Sequence, residues 1–292
     1  MISFSSYLSR CKFWRICLRE IGQGIIFEDV KISETDMLRF KQVAIKASLE
    51  AGKILLENQT KKKKIGYKGE INLVTEVDYL SERAILKMIS KRFPEHSILT
   101  EESKRKDRNS AYLWIIDPLD GTTNYAHDFP VYCVSIALQK DGETILGAVY
   151  NPVLGELFSV EKERGVFLNG ERISVSKTNR LSESLLATGF PYDIRTSKEN
   201  NLNYFNRFAL KARAIRRAGS AALDLCYLAM GRFDGFWELK LSPWDTAAGV
   251  LMVTEAGGKV SDFSGDKFDI FSSQLLVTNG KIHNQMLKVI NQ

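Results

Sequence analysis

Between residues 37 and 58 apolar side chains at Phe40, Val43, Ala44, Ala47, Ala51, Ile54 and Leu55 recur every three or four positions. That spacing puts them on one face of a helix. Lys61 to Lys64, then Gly66, Lys68 and Gly69, break the pattern and read as a basic surface loop, whose charge would also suit a phosphorylated substrate. A second helix is expected over 78–92, with Leu80, Ala84, Ile85, Met88 and Ile89 buried and Pro94 ending it. The period then shortens. Apolar or alternating runs at 97–100, 113–116, 131–139, 144–150, 157–160 and 165–168 predict strands, and Asp141-Gly142 predicts a tight hairpin. Helical patterns return at about 200–211, 220–230, 243–255 and 281–290, separated by strand-like runs at 214–217, 233–237 and 275–278. Hairpins mixed with helices, without regular βαβ alternation, argue for a layered α+β fold over a Rossmann fold.

Composition narrows the function classes. The 292 residues are 44% hydrophobic and 26% charged, enough for one large domain or two small ones. No run approaches the ~18 to 20 apolar residues of a membrane-spanning helix, so no membrane span is expected. A net charge of +6 favours acidic partners without choosing between nucleic acid, an anionic membrane surface and a phosphorylated metabolite. Cys11, Cys17, Cys133 and Cys226 lack C-x-x-C spacing, which fits reduced thiols and a cytoplasmic location. With 3 scattered histidines, any metal should be held by oxygen. Residues 1–36 differ from the rest: Arg10, Lys12, Arg15 and Arg19 occur there before any acid. An organellar presequence, an amphipathic surface helix and a start assigned too early, Met37 opening the first helical pattern, all fit.

The densest chemistry is in Trp114-Ile115-Ile116-Asp117-Pro118-Leu119-Asp120-Gly121-Thr122-Thr123-Asn124, where an apolar strand runs into two closely spaced carboxylates on a turn stiffened by Pro118. Gly121 and Thr122 follow where a helix could begin, leaving backbone N–H groups for an anion. Acids beside an anion-holding turn would repel a phosphate unless cations lay between them, which points to Mg²⁺. Taken alone, Asp117 and Asp120 could equally cap a turn. A second acidic group, Ser242-Pro243-Trp244-Asp245, opens a helix with a capping residue, a proline and an acid in the first turn. Asp245 could complement the helix dipole or serve as a metal ligand.

Together, residues 115–124 and 244–258 resemble the two signature motifs of the inositol monophosphatase family, Mg²⁺-dependent and Li⁺-sensitive phosphatases of the wider sugar-phosphatase superfamily. The resemblance implies a catalytic domain over 37–292, with 1–36 an extension of unknown role. It also implies a layered αβαβα sandwich with mixed, largely antiparallel sheets. Position by position, it implies that Glu101, Asp117 and the Leu119 carbonyl hold one Mg²⁺. Asp117, Asp120 and Asp245 would hold a second, and a third, hydrated ion would lie near Glu101. Glu102 is read as outside the direct ligand set.

Asp78 matches an aspartate that pairs with Thr122 in the family, or else caps its helix. Many relatives carry Asp where this chain has Asn72, and that position is not taken as a ligand. The small residues Gly219, Ser220 and Ala221 match a segment that lets the substrate ring approach the backbone, or form a plain turn before a helix. Glu238 matches an acceptor for substrate hydroxyls, against the alternative of a surface acid at a strand end. Asp120, Gly121, Thr122 and Asp245 complete the expected substrate contacts.

The implied reaction is hydrolysis of a polyol phosphate monoester by metal-activated water, with Glu101, Thr122 and Asp78 handling its proton and no covalent intermediate. Myo-inositol monophosphate is the first candidate substrate. Histidinol phosphate, fructose 1,6-bisphosphate, adenosine 3′,5′-bisphosphate and NADP are the alternatives within the superfamily. A scaffold acting mainly as an RNA- or protein-binding regulator is the alternative of another class, although the intact acid set speaks for the enzyme. The family's usual homodimer is expected, with no membrane partner.

Overall fold

A computed structural model describes residues 32–60, 65–67 and 73–292. Most of the proposed extension lies outside these residues, as do Lys61 to Lys64, Lys68 and Gly69. Helix α1 (Glu34–Gln59) begins before Met37 and buries Phe40, Ala44, Ala47, Ala51 and Leu55, close to the stripe read from the sequence. Part of the stretch expected to be a loop is instead a short hairpin of β1 (Ile65–Tyr67) and β2 (Leu73–Thr75). Three residues per strand are too few for an alternation to register.

Helix α2 (Glu76–Arg92) starts ahead of the expected Asp78. Thr75 is its N-cap: its hydroxyl accepts from the Val77 amide at 3.2 Å, and the Asp78 carboxylate accepts from the Thr75 amide at 2.8 Å. Asp78 is therefore the third residue of a capping box, not the cap itself. The buried face also departs from the apolar pattern. It carries Asp78, Ser81 and Glu82 beside Val77, Ile85 and Ile89, while Leu80 is 40% exposed.

Strands β3 (Ser97–Thr100), β4 (Tyr112–Asp120), β5 (Cys133–Lys140), β6 (Glu143–Asn151), β7 (Glu156–Glu161), β8 (Gly165–Leu168) and β9 (Glu171–Arg172) form one sheet in chain order. Its β3–β4 pair is parallel and the others antiparallel. The β5–β6 turn has positive φ at both Asp141 and Gly142, the geometry their sequence predicts.

The second sheet contains β10 (Leu185–Thr188), β11 (Ala214–Arg216), β12 (Gly235–Leu239), β13 (Lys259–Ser261) and β14 (Gln274–Thr278), in the order β11-β10-β12-β14-β13. Strand β10 is parallel to both neighbours, and β14 is antiparallel to both of its own. Neither β10 nor β13 was expected. Leu185-Leu186-Ala187 lacks the β-branched residues that mark strands, although it runs through the middle of this sheet.

The remaining helices described are α3 (Thr122–Ala126), α4 (Leu202–Ala209), α5 (Ala221–Ala229), α6 (Pro243–Glu255) and α7 (His283–Ile290). Helices α5 and α6 lie between the sheets and touch strands of both, which explains why they are apolar nearly all round. Gly249 of α6 meets Leu225 of α5 where even a Cβ would collide, so the two helices approach closely. Ile115, Val149, Phe158, Leu225, Met252 and Leu275 belong to this central core. Phe208 of α4 and Met286 of α7 cover the far face of the five-stranded sheet against Trp237 and Leu276. Gly52 of α1 lies against Tyr150 of β6, and α2 packs on β4. The layers are thus αβαβα, the α+β sandwich expected.

Candidate active site

In a regular strand Asp117 and Asp120, an odd number of residues apart, would point to opposite faces. The pairing of β4 with β5 slips between them: Asp117 faces Ser135 and Asp120 faces Cys133. This β-bulge places an extra residue in β4 and turns both carboxylates to one side. Pro118, with no amide hydrogen to lose from the ladder, occupies the irregular stretch. Asp245 arrives from the first turn of α6, where a capping box with Ser242 fixes it; the Ser242 amide donates to its Oδ2 at 2.7 Å. One carboxylate oxygen from each of Asp117, Asp120 and Asp245 lies within 4.8 Å of the others.

The chain around these acids is held equally closely. Leu119 donates its amide to Asp117 Oδ1 at 2.9 Å. Asp120 Oδ2 accepts from the Ser220 hydroxyl at 2.6 Å and the Ala222 amide at 2.8 Å, which joins the bulge to the start of α5. Gly121 adopts φ 91°, and a Cβ there would lie 2.8 Å from the Val131 carbonyl oxygen. Only glycine makes this turn without strain, and α3 begins at the next residue. The Thr122 hydroxyl lies 3.1 Å from Asp78 Oδ1 and 3.0 Å from the Leu119 carbonyl. Asn124, the last residue of the motif, donates to the carbonyls of Val131 at 2.7 Å and Ala218 at 2.8 Å, anchoring the Gly219–Ser220–Ala221 turn beside the acids.

A cavity of about 410 Å³ collects these groups. Glu101, Asp117, Leu119, Asp120, Gly121 and Thr122 line it, and so do Gly219, Ser220, Ala221, Glu238 and Asp245. Asp78 stands behind Thr122 and does not line it. Glu238 is buried in β12, not a surface acid at a strand end, and a side chain at Gly189 would occupy the space of its carboxylate. The sequence reading missed several further wall residues, among them Tyr192, Lys240 and Asp224. Asp224 had a usable signal: an acid in a segment otherwise apolar, Ala221-Ala222-Leu223-Asp224-Leu225.

Burial governs the electrostatics. It pushes Asp117 well above the usual carboxylate range, with Glu101, Asp120 and Asp245 adding repulsion. Asp245 is raised by burial and then by Asp120. Asp120 is pushed up to about 6 by burial, against its hydrogen bonds from Ser220 and Ala222. Glu238 is raised to about 8 by burial, partly offset by Arg217. Asp117 is buried and Asp120 and Asp245 half-buried, and acids that repel one another in such a place are stabilised together by a cation; an all-oxygen donor set fits a hard divalent ion. Burial also raises the neighbouring Cys133 thiol well above its ordinary value, which keeps it protonated and a poor ligand.

The inositol monophosphatase family profile matches residues 36–292. The chain belongs to the inositol monophosphatase family. It is 42% identical over 260 residues to an inositol-1-monophosphatase of Synechocystis, covering 88% of this chain and 91% of that protein. It is also 39% identical over 248 residues to the Nus factor SuhB of Escherichia coli, at 84% and 93% coverage. The solved inositol monophosphatase of Anabaena (Nostoc) superposes with a TM-score of 0.81 at 41% identity, over 88% of this chain and 97% of that one. This inositol monophosphatase family member is accordingly a phosphoric monoester hydrolase with a carboxylate cluster suited to metal.

Proposed function

We propose that the protein hydrolyses myo-inositol monophosphate to inositol and phosphate by direct attack of water. The observation that carries this reading is the convergence of Asp117, Asp120 and Asp245 in a cavity that also holds Thr122 and Glu238. Glu101, Asp117, the Leu119 carbonyl, Asp120 and Asp245 are the residues that would hold two to three Mg²⁺. When bound, the ions supply positive charge to the phosphate and to the oxygen that leaves.

The residues do the rest. Thr122 gives its hydroxyl hydrogen to Asp78 or to the Leu119 carbonyl, so its lone pairs are free to hold the attacking water. The water's proton passes to Glu101 or, through Thr122 Oγ1, to Asp78, whose affinity for a proton is raised by burial. The amides of Gly121 and Thr122 orient the phosphate oxygens. Glu238 and Asp245 accept hydrogen bonds from the polyol, and the small Gly219–Ser220–Ala221 turn lets its ring approach. No covalent intermediate is needed.

The test is kcat/KM over a panel of inositol 1-phosphate, fructose 1,6-bisphosphate, histidinol phosphate, adenosine 3′,5′-bisphosphate and NADP, with and without Mg²⁺. Preference for any of the last four would overturn the choice of substrate. The likeness to the Nus factor SuhB supports a second reading, a scaffold that acts through RNA or protein binding. A salt-titrated RNA-binding assay run beside the phosphatase assay separates the two. Light scattering tests the homodimer carried over from the family, and microscopy of a tagged chain tests a cytoplasmic location. Among the described residues no helix is long and apolar enough to cross a membrane.

A further inference from the structure

Asp224 belongs to none of the roles assigned above, yet it lines the same cavity. It is in the first turn of α5 and only 2% exposed, and its Oδ1 is buried with no hydrogen-bond partner. An acid placed only to complement the α5 dipole would gain the same benefit at an exposed position, without leaving an acceptor unsatisfied. Glu238 is near enough to disfavour a charge on Asp224, and Arg217 near enough to favour one. Two buried carboxyl groups, from α5 and β12, therefore face one cavity that already holds the reacting acids. Neighbouring hydroxyl groups on a bound alcohol would give both of them donors.

We propose that Asp224 is a specificity-determining residue. With Glu238 it forms a wall of acceptors for the alcohol part of the substrate, the Asp224 carboxyl receiving one hydroxyl hydrogen. The wall selects esters whose alcohol carries adjacent free hydroxyls, as cyclitols and sugars do. An apolar alcohol would leave the buried acceptors bare, the kind of mismatch that polar sites reject most strongly. The inference rests on the reading of the cavity as a polyol phosphate site.

The experiment compares kcat/KM for myo-inositol 1-phosphate and for p-nitrophenyl phosphate, whose alcohol has no second hydroxyl, in wild type, Asp224→Ala and Asp224→Asn with Mg²⁺ present. In Asp224→Ala the ratio of the inositol ester to the nitrophenyl ester should fall at least ten-fold, mainly through a higher KM for the inositol ester. Asp224→Asn keeps one acceptor and should fall between Asp224→Ala and wild type. Inhibition by free myo-inositol should weaken in the same order. A ratio within two-fold of wild type in both variants overturns the proposal, as does an equal loss on both esters, the mark of a structural role. If Asp224→Ala melts too low to assay, the Asp224→Asn ratio and inositol inhibition decide by the same criteria. A wild type that hydrolyses both esters without preferring the inositol ester would refute the polyol-site reading itself. A wild type that prefers it, with variants that keep the preference, would refute Asp224 alone.

Discussion

Asp245→Asn tests the reading of the acid cluster in two independent ways. Asn keeps the shape and can still accept from the Ser242 amide, as Asp245 does at 2.7 Å, so the capping of α6 survives. What disappears is one negative charge from a group whose oxygens lie within 4.8 Å of one another. Two unit charges at that separation repel by about 3.5 kcal/mol at an effective dielectric of ~20. Protonation limits how much of this the metal-free protein bears. Asp120, lifted from 3.8 to about 6 chiefly by burial, already represents about 3 kcal/mol at neutral pH, of which repulsion is the smaller part. Against the relief stands the lost dipole contribution at the start of α6, about 0.3 to 1 kcal/mol. The net expectation in EDTA at pH 7.5 is a gain of roughly 1 to 2 kcal/mol, or about 2 to 6 °C in melting temperature.

With Mg²⁺ the balance reverses, because the variant binds the ions more weakly. Turnover of inositol 1-phosphate should fall at least ~10²-fold, about 2.7 kcal/mol. Calorimetry in EDTA and steady-state kinetics at saturating Mg²⁺ read the two effects separately. A near-normal kcat would remove Asp245 from the site. A variant that melts below wild type in EDTA would show that repulsion among the acids is not what strains the metal-free chain.

Activity should require Mg²⁺ and fall in millimolar Li⁺, since a monovalent ion in a divalent site stabilises the leaving oxygen less; full turnover in excess EDTA would sink the metal reading. In EDTA, the folded chain titrates Asp120 near 6 and Glu238 near 8 against ordinary values of 3.8 and 4.5, so it holds more protons than the unfolded chain across this range. Stability from these groups is complete below about pH 4 and is lost as pH rises through 6 and 8. Melting temperature in EDTA should therefore drop from pH 7 to 8.5, a window above the range from about 4 to 6.5 over which His283, pushed down to about 4 by burial, adds stability as pH rises. A rise over that window would contradict the assignment. Gly121→Ala forces a side chain into φ 91° and toward the Val131 carbonyl, so denaturant unfolding should show a loss of about 2 kcal/mol or more together with lower turnover. An unchanged unfolding midpoint would refute the strain argument.

The site was legible in the sequence where chemistry is local. Gly121 to Asn124 and Ser242 to Asp245 are contiguous runs whose helix-start signals match what their backbones do, whereas Asp117 to Asp120, expected on a turn, continue β4 through a bulge. What escaped depends on the third dimension. The bulge in β4 is a property of pairing with β5, and nothing in Pro118 or Leu119 alone says that the register slips there. The buried face of α2 was misread because hydrophobic periodicity assumes an apolar partner. Ser81 instead donates to the Pro118 carbonyl at 2.7 Å, Ser103 donates to Glu82 at 2.8 Å, and Asp78 meets Thr122. The polar positions of α2 brace the bulge of β4 and Thr122, so the pattern failed where the helix serves the site. Asp224 was lost for the converse reason: within an apolar helix between two sheets it reads as a stray first-turn acid until the cavity is seen.

The acids come from separate elements, and hydrogen bonds within the chain set the direction of each. Each of the three clustered carboxylates is tied by a short backbone hydrogen bond: Asp117 to the Leu119 amide, Asp120 to the Ala222 amide, Asp245 to the Ser242 amide. A carboxylate has about four acceptor positions, so one such bond leaves capacity for an ion. These amides lower the proton affinity that burial and mutual repulsion raise, and they fix each side chain in a single direction. Two of the three amides belong to the first turn of α5 and the N-cap of α6, the helices enclosed between the sheets, so the donors are anchored to the core. Metal binding then need not spend its free energy on gathering the ligands, and what remains is available for the charge that develops on the ester.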